Sequence, residues 1–159
     1  MREKGSLAGA TAIVTGASSG VGYGIASRLA ADGAAVAINY HSQREPAEQL
    51  RGEIERSGGR AIVVGGDVSK KADVASLFDR TVEAFGRVDI LVANAGAQKN
   101  AGIADMTLDD WREVIELDLT GQFLRCREAA QARAHRQRRT QATPARRLRG
   151  IDGQRLPCK

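Results

Sequence analysis

The sequence predicts an α/β fold built on a doubly wound parallel sheet, incomplete at about four strands and followed by a basic irregular C-terminal tail. Three observations predict it. Short apolar runs alternate with amphipathic helical segments through the first 93 residues. The runs are apolar at successive positions, which is typical of strands covered on both faces. A polar or glycine-rich motif follows each run, where parallel strands bind their ligands.

The first strand is predicted at residues 10–15, a β-branched-rich run between Gly9 and Gly16. A helix is expected next, because Ser18 or Ser19 can cap its N-terminus and Gly33 can end it. Apolar residues at helical spacing mark its inward face, namely Val21, Ile25, Ala26, Leu29 and Ala30.

The same pattern then repeats. A strand is predicted at residues 34–39, a polar helix at 45–56, a strand at 61–64, a helix at 71–85 and a strand at 88–93. The second helix should bury a stripe of Ala47, Leu50 and Ile54. The third helix should bury Val74, Leu77, Phe78, Val82 and Phe85. The expected strand order is 3-2-1-4, which leaves the fourth strand at an exposed edge.

A further helical segment is predicted to begin near Thr107, which can cap it. Its expected buried face consists of Leu108, Trp111, Val114, Ile115, Leu119 and Phe123. The apolar periodicity fades from about Arg125, so we divide the chain into an α/β domain at residues 1–130 and an arginine-rich tail at 131–159. The tail is expected to be disordered, or to result from a change of reading frame near residues 125–131.

The charge distribution changes at the same point. Residues 1–124 hold 13 Lys/Arg and 17 Asp/Glu, a net charge of −4, whereas residues 125–159 hold 11 and 2, a net charge of +9. A basic tail attracts polyanions, so a polyanion binder is one alternative function. Specific nucleic-acid binding is not expected, because no aromatic residue follows Phe123 to stack on a base.

The apolar runs are too short to cross a membrane, and the N-terminal residues lack the apolar stretch of a secretory signal. We therefore expect no membrane partner and a cytoplasmic location. The two cysteines, Cys126 and Cys158, fit a reducing compartment and have no metal-ligand spacing. No metal site is expected.

The loop TGASSGVG, residues 15–22, joins the first strand to the first helix. The free N–H groups and the dipole of a helix N-terminus make such a loop an anion site. Gly16 permits the sharp turn, and Gly20 and Gly22 remove the Cβ atoms that would keep phosphate or sheet at a distance. The loop has no P-loop lysine, which disfavours ATP. A purely structural turn is the alternative interpretation.

Three motifs occur in order at the predicted strand ends: TGASSGVG, then Gly66-Asp67-Val68, then Asn94-Ala95-Gly96. In this combination, roughly residues 7–130 resemble the short-chain dehydrogenase/reductase family. The stretches WREVIELDLTGQFLRCREA and INYHS are similar to its glucose 1-dehydrogenase-like subgroup. The resemblance implies a Rossmann-like fold and hydride transfer between a nicotinamide cofactor and an alcohol or carbonyl substrate.

The resemblance also implies which residues hold the dinucleotide. The pyrophosphate and the adenosine ribose would be surrounded by Gly16, Ser18, Ser19, Gly20, Val21 and Gly22. Asp67 would accept from the adenine amino group with Val68 against the ring, although capping the third helix is an alternative role for Asp67. The ribose and nicotinamide side would be lined by Asn94, Ala95 and Gly96, where Asn94 can also pin neighbouring backbone.

Cofactor choice depends on the residues after the second strand. An acidic residue there pairs with the ribose hydroxyls of NAD and repels the 2′-phosphate of NADP. This chain instead has Asn39, Tyr40, His41 and Ser42, with Arg44 just beyond. NADP is therefore slightly favoured, with NAD as the alternative. His41 is either a phosphate contact or a solvated surface residue.

The catalytic residues that the resemblance implies are missing from this sequence. A serine and a Tyr-x-x-x-Lys pair are expected beyond residue 130, but the last serine is Ser76 and the two tyrosines are Tyr23 and Tyr40. Asp118 stands where the family has its active-site asparagine. We therefore expect this chain alone not to turn over substrate. A non-catalytic dinucleotide-binding or interaction module is a further alternative.

Overall fold

The computed structural model describes residues 5–142, with the side chains of residues 135, 136 and 138–142 excepted. Strands and helices alternate along the chain. The strands are β1 (Thr11–Val14), β2 (Ala35–Tyr40), β3 (Arg60–Gly65) and β4 (Ile90–Val92). The helices are α1 (Gly20–Ala31), α2 (Arg44–Arg56), α3 (Lys71–Phe85), α4 (Leu108–Ile115) and α5 (Gly121–Ala142), and a π-helical turn (Glu116–Thr120) joins the last two.

The four strands form one parallel sheet in the order β3-β2-β1-β4, which confirms the predicted fold class and strand order. Val14 lies opposite Ile38 on one side and Val92 on the other. All four carboxyl ends therefore meet at one edge. The observed strand bounds differ from the predicted ones by up to two residues. At this edge, Thr15 follows β1 directly and Asn39 lies near the end of β2, and their side chains donate to carbonyls of the neighbouring strands, Val92 of β4 and Val64 of β3.

Each face of the sheet is covered by two helices. Small and branched residues from α1 and α2 pack on one face, where the predicted stripe of Ala47, Leu50 and Ile54 is buried. The other face is covered by α3 and α5, with Val74, Leu77, Phe78 and Leu124 in its core. Because helices cover both faces of the sheet, strand side chains on both faces are buried, which explains the continuous apolar runs in the sequence.

In the first three helices, two predicted inward positions are wrong. Val21 is 72% exposed, because α1 approaches the sheet through the small residues Gly22, Ala26 and Ala30 instead. Val82 is 39% exposed, and the buried position beside it belongs to Thr81. The Thr81 hydroxyl donates to the carbonyl of Leu77 at 2.7 Å, which satisfies this polar group inside the core.

The segment after residue 106 differs most from expectation. Thr107 caps α4 as predicted, since its hydroxyl accepts from the Asp110 N–H at 3.1 Å in a capping box. The predicted buried face is largely wrong, because four large side chains are 54–64% exposed: Leu108, Trp111, Leu119 and Phe123. The π-helical turn adds a residue to the helical repeat and rotates the residues that follow it, so a stripe counted at 3.6 residues per turn does not stay on one face.

Helix α5 continues to Ala142, so residues 131–142 are helical where the sequence analysis expects an irregular tail. Alanine, glutamine and arginine favour helices even without an apolar stripe. Ala129 and Ala132 still pack against the core under α3. The remainder of the predicted tail, residues 143–159 with Cys158, lies outside the described residues. Within residues 5–142, no helix combines the length and apolar character needed to cross a membrane.

Candidate functional site

A cleft of about 580 Å³ opens at the carboxyl edge of the sheet. Its volume lies in the range of small-molecule and cofactor sites. The lining comes from the end of β2, the loops after all four strands, α4 and the start of the π-helical turn: Gly16, Ser18, Ser19, Asn39, His41, Ser42, Gln43, Gly66, Asp67, Val68, Ser69, Asn94, Ala95, Gly96, Ala97, Glu113, Glu116 and Leu117. This is the position that a doubly wound sheet gives to its ligands.

The cleft brings together ten of the fourteen predicted cofactor residues, namely Gly16, Ser18, Ser19, His41, Ser42, Asp67, Val68, Asn94, Ala95 and Gly96. The other four do not line it. Gly20 opens α1 at a φ of 57°, Val21 points to solvent and Gly22 is buried beneath the loop. Tyr40 packs its ring against the core between α1, α2 and the sheet.

The glycine loop approaches β4 very closely. Gly16 has a φ of 62°, and a Cβ there would lie 2.9 Å from the Cα of Ala95. Ser19 occupies the N-cap position of α1 as predicted, but its side chain makes no cap hydrogen bond. Within residues 5–142, no side-chain acceptor is found for the first N–H groups of α1, so a ligand anion can take that role.

Asn94 holds the loop to β4. Its amide donates to the carbonyls of Thr15 at 3.0 Å and Gly16 at 3.2 Å. A Cβ at Gly22 would lie 2.5 Å from this amide nitrogen and 2.5 Å from the Gly16 carbonyl oxygen. The backbone-pinning role considered for Asn94 is thus present, and Gly22 is required because the first turn of α1 passes directly against these groups.

Asn39 plays the equivalent part on the other side of the loop. The sequence suggested Asn39 only as one of the residues that bear on cofactor choice, and this structural role was not predicted. Its side chain is 2% exposed, donates to Val64 and Gly66 carbonyls at 3.2 Å each, and accepts from the Gly16 N–H at 3.4 Å. A lone amide at the end of an apolar strand was the available signal, because a buried amide needs several partners.

Asp67 shapes the loop between β3 and α3. One carboxylate oxygen accepts from the Ser69 N–H at 3.0 Å and the Ser69 hydroxyl at 2.7 Å. Partial burial opposes ionisation, but these two hydrogen bonds and the charges of His41 and Lys70 outweigh it and lower the pKa of Asp67. Lys70, and not Asp67, is the N-cap residue of α3. The capping role considered for Asp67 is therefore wrong, since it forms a turn with Ser69.

Asp118 and Arg125 fix the loop after β4 from the helical side. Asp118 accepts from the Ala97 N–H at 3.0 Å. Arg125 is 1% exposed, and its guanidinium donates to the Thr15 hydroxyl and the Ala95 carbonyl at 3.2 Å each. Burial lowers the pKa of Arg125, while the charge of Asp118 opposes the shift. Sequence reasoning missed Arg125, because the arginines that follow it made it look like the start of the tail.

A family model described as short chain dehydrogenase matches residues 10–140 of this chain. The chain belongs to the short-chain dehydrogenase family. A hydroxynaphthalene reductase-like protein, Arp2 of Metarhizium majus (strain ARSEF 297), is 40% identical over 118 residues, which cover 74% of this chain and 44% of that protein.

Solved structures of this family share the fold. A short-chain dehydrogenase from Burkholderia cenocepacia J2315 in complex with NADP is 41% identical with a TM-score of 0.77, and the match covers 79% of this chain and 51% of that one. A dehydrogenase/reductase from Sinorhizobium meliloti 1021 is 41% identical with a TM-score of 0.78, covering 80% and 50%. This short-chain dehydrogenase sequence thus spans about half the length of its relatives.

Proposed function

We propose that this chain is the cofactor-binding part of a short-chain oxidoreductase and binds NADP(H) in the cleft at the carboxyl edge of the sheet. The observation that carries the proposal is the continuity of the cleft. One open volume of about 580 Å³ runs between the loop after β2, the uncapped start of α1 and the loop after β4. The NADP complex of the Burkholderia relative supports the choice of ligand.

The chemistry of the lining fits the parts of a dinucleotide. The start of α1 with Ser18 and Ser19 offers N–H and hydroxyl donors to phosphate. The other Asp67 oxygen, which lies 3.5 Å from the Lys70 ammonium, is the acceptor for the adenine amino group. His41 and Ser42 stand where a carboxylate would repel a 2′-phosphate, so they favour NADP. The loop from Asn94 to Gly96 would take the nicotinamide side. When bound, the cofactor supplies or accepts a hydride.

Reduction of a carbonyl also needs a proton donor next to the nicotinamide. This sequence has no Tyr-x-x-x-Lys and no serine after Ser76, and it has a carboxylate at Asp118 in place of the family's asparagine. We therefore propose cofactor binding without turnover for the 159-residue chain. The alcohol or carbonyl substrate belongs to a protein that supplies these groups.

Calorimetric titration with NADPH and NADH tests the proposal. We expect both to bind, NADPH more tightly, and His41→Ala to reduce the ratio of the two affinities. Ser57→Ala is the matched control, because Ser57 is exposed at the end of α2 and outside the cleft. Failure of both cofactors to bind would refute the proposed function.

The adenine contact has its own test. In an NADPH analogue whose adenine is replaced by hypoxanthine, the amino group becomes a carbonyl, which a carboxylate acceptor disfavours. The wild-type chain should prefer NADPH to this analogue, and Asp67→Asn should lose the preference, since its amide can also donate. Equal affinities of the wild-type chain for both ligands would show that Asp67 does not contact the adenine amino group.

Turnover of any alcohol in a substrate panel would contradict the proposed absence of a catalytic acid.

A further inference from the structure

Arg125 is a buried cation that the proposed function does not use. Its Nε donates to the Gly121 carbonyl at 3.0 Å, and one terminal nitrogen donates to the Leu117 carbonyl at 3.3 Å and the Gln122 side chain at 3.2 Å. The other terminal nitrogen reaches across to Thr15 and Ala95. All these acceptors are neutral, and no salt bridge of Arg125 is found among the described residues. Burying an arginine this way is costly, which indicates a specific task.

The contacts of Arg125 converge on one peptide segment. The Ala95 carbonyl accepts directly from Arg125 at 3.2 Å. The Ala95 N–H donates at 3.1 Å to the Thr15 hydroxyl, which also accepts from Arg125 at 3.2 Å. Both backbone polar groups of Ala95 are therefore fixed by the same guanidinium, one directly and one through Thr15. A planar guanidinium with several donors in fixed directions can hold two such acceptors at once, which an ammonium cannot.

Ala95 lies between two other fixed points. Asn94 is tied to the loop after β1, and the Ala97 N–H is tied to Asp118. Without Arg125, the segment would keep the hydrogen bonds at Asn94 and Ala97 but lose the interaction that fixes the orientation of the Ala95 peptide. That peptide lines the cleft on the side opposite the Asp67 loop.

We propose that Arg125 is a positioning residue for the cofactor: it fixes the Ala95 peptide, and thereby the wall of the cleft that receives the nicotinamide half of the dinucleotide. The inference rests on the proposed function, because it assumes that NADP(H) occupies the cleft. It predicts that Arg125 matters for one half of the ligand and not for the other. A purely structural arginine would affect both halves equally.

The test uses NADPH as the whole ligand and 2′,5′-ADP as its adenosine half. In Arg125→Met, NADPH affinity should fall about tenfold, equivalent to about 1.4 kcal/mol, while 2′,5′-ADP affinity should change less than about twofold. Arg125→Lys should restore little of the lost NADPH affinity, because the lysine ammonium carries the charge but cannot hold the two acceptors at once as the planar guanidinium does. Arg127→Met is the matched control, since Arg127 is the next arginine along α5 and packs on Phe123 away from the cleft.

Two further measurements keep the test valid if Arg125→Met folds poorly or if no ligand binds. Thr15→Val removes the shared hydroxyl from the opposite side and should show the same selective loss. Amide hydrogen exchange of the ligand-free chain should show faster exchange of the Ala95 N–H in Arg125→Met and not in Arg127→Met. The exchange measurement does not depend on the cofactor.

The outcomes separate the two proposals. Equal losses of NADPH and 2′,5′-ADP affinity, or unchanged Ala95 exchange, would overturn the positioning role and leave the proposed function intact. A wild-type chain that binds neither ligand would refute the proposed function, and with it the cofactor role of Arg125. Selective loss of NADPH affinity with faster Ala95 exchange supports both.

Discussion

Alanine substitutions at two glycines of α1 can measure how tightly this helix packs against the glycine loop. Gly22 and Gly24 both lie in α1, and alanine at either position gains about 0.5–1 kcal/mol of helix stability. A Cβ at Gly24 meets nothing within 4 Å. A Cβ at Gly22 would lie 2.5 Å from both the Asn94 amide and the Gly16 carbonyl oxygen, so one of them must move.

The difference between Gly22→Ala and Gly24→Ala isolates the clash, because both variants share the gain in helix propensity. Overpacking of this kind costs about 1–3 kcal/mol. For a chain of this size the difference corresponds to roughly 2–12 °C in melting temperature. We expect Gly24→Ala to be more stable than the wild-type chain and Gly22→Ala to be less stable than Gly24→Ala by this amount.

Urea unfolding followed by circular dichroism measures the two free energies of unfolding, and NADPH titration measures the effect on the cleft. Gly22→Ala should also weaken NADPH binding, since it displaces Asn94, whereas Gly24→Ala should not. Equal stability of the two variants would refute the reasoning, because it would show that the loop can move aside without loss.

Three other predictions concern stability. Leu50→Ala, at a position with 0% exposure, should lower the free energy of unfolding by about 2–5 kcal/mol in urea titration, the range for buried leucines. Thr107→Ala should cost about 1 kcal/mol by removing the capping box, seen as faster amide exchange in α4. The lowered pKa of Asp67 means that its carboxylate stabilises the fold above its ordinary value of 3.8 and that this contribution is lost as the pH falls through the folded-state pKa. The stability difference between the wild-type chain and Asp67→Asn should therefore shrink in acid.

The strands and the first three helices were predictable from the sequence because burial on two faces leaves a strong pattern. A run such as residues 35–38 has no polar residue, and α2 carries only one apolar stripe. The handedness of crossovers limits the strand orders that such a pattern allows, and the expected order 3-2-1-4 is the one observed. The loops at the carboxyl edge were then the expected place for a site, and most of the predicted residues do line one cleft.

The predicted burial is wrong where an apolar pattern in the sequence does not show which other segment of the chain packs against it. The stripe from Leu108 to Phe123 shows that a face is apolar but not that anything covers it, and the π-helical turn changes its phase. The structural roles of Asn39 and Arg125 were missed for a related reason. The end of an apolar strand marks Asn39 as a buried amide, but its partner Val64 and the partner Thr15 of Arg125 are distant in sequence, and no local pattern identifies them.

The hydrogen bonds that complete the glycine loop also set the order in which it can form during synthesis. Thr15 is joined to Asn94 across 79 residues and to Arg125 across 110 residues. At a ribosomal rate of about 5–20 residues per second, the partner of Thr15 on α5 is made roughly 5–20 s after Thr15 itself. The loop that emerges first from the ribosome is thus among the last parts of the domain to reach its final geometry.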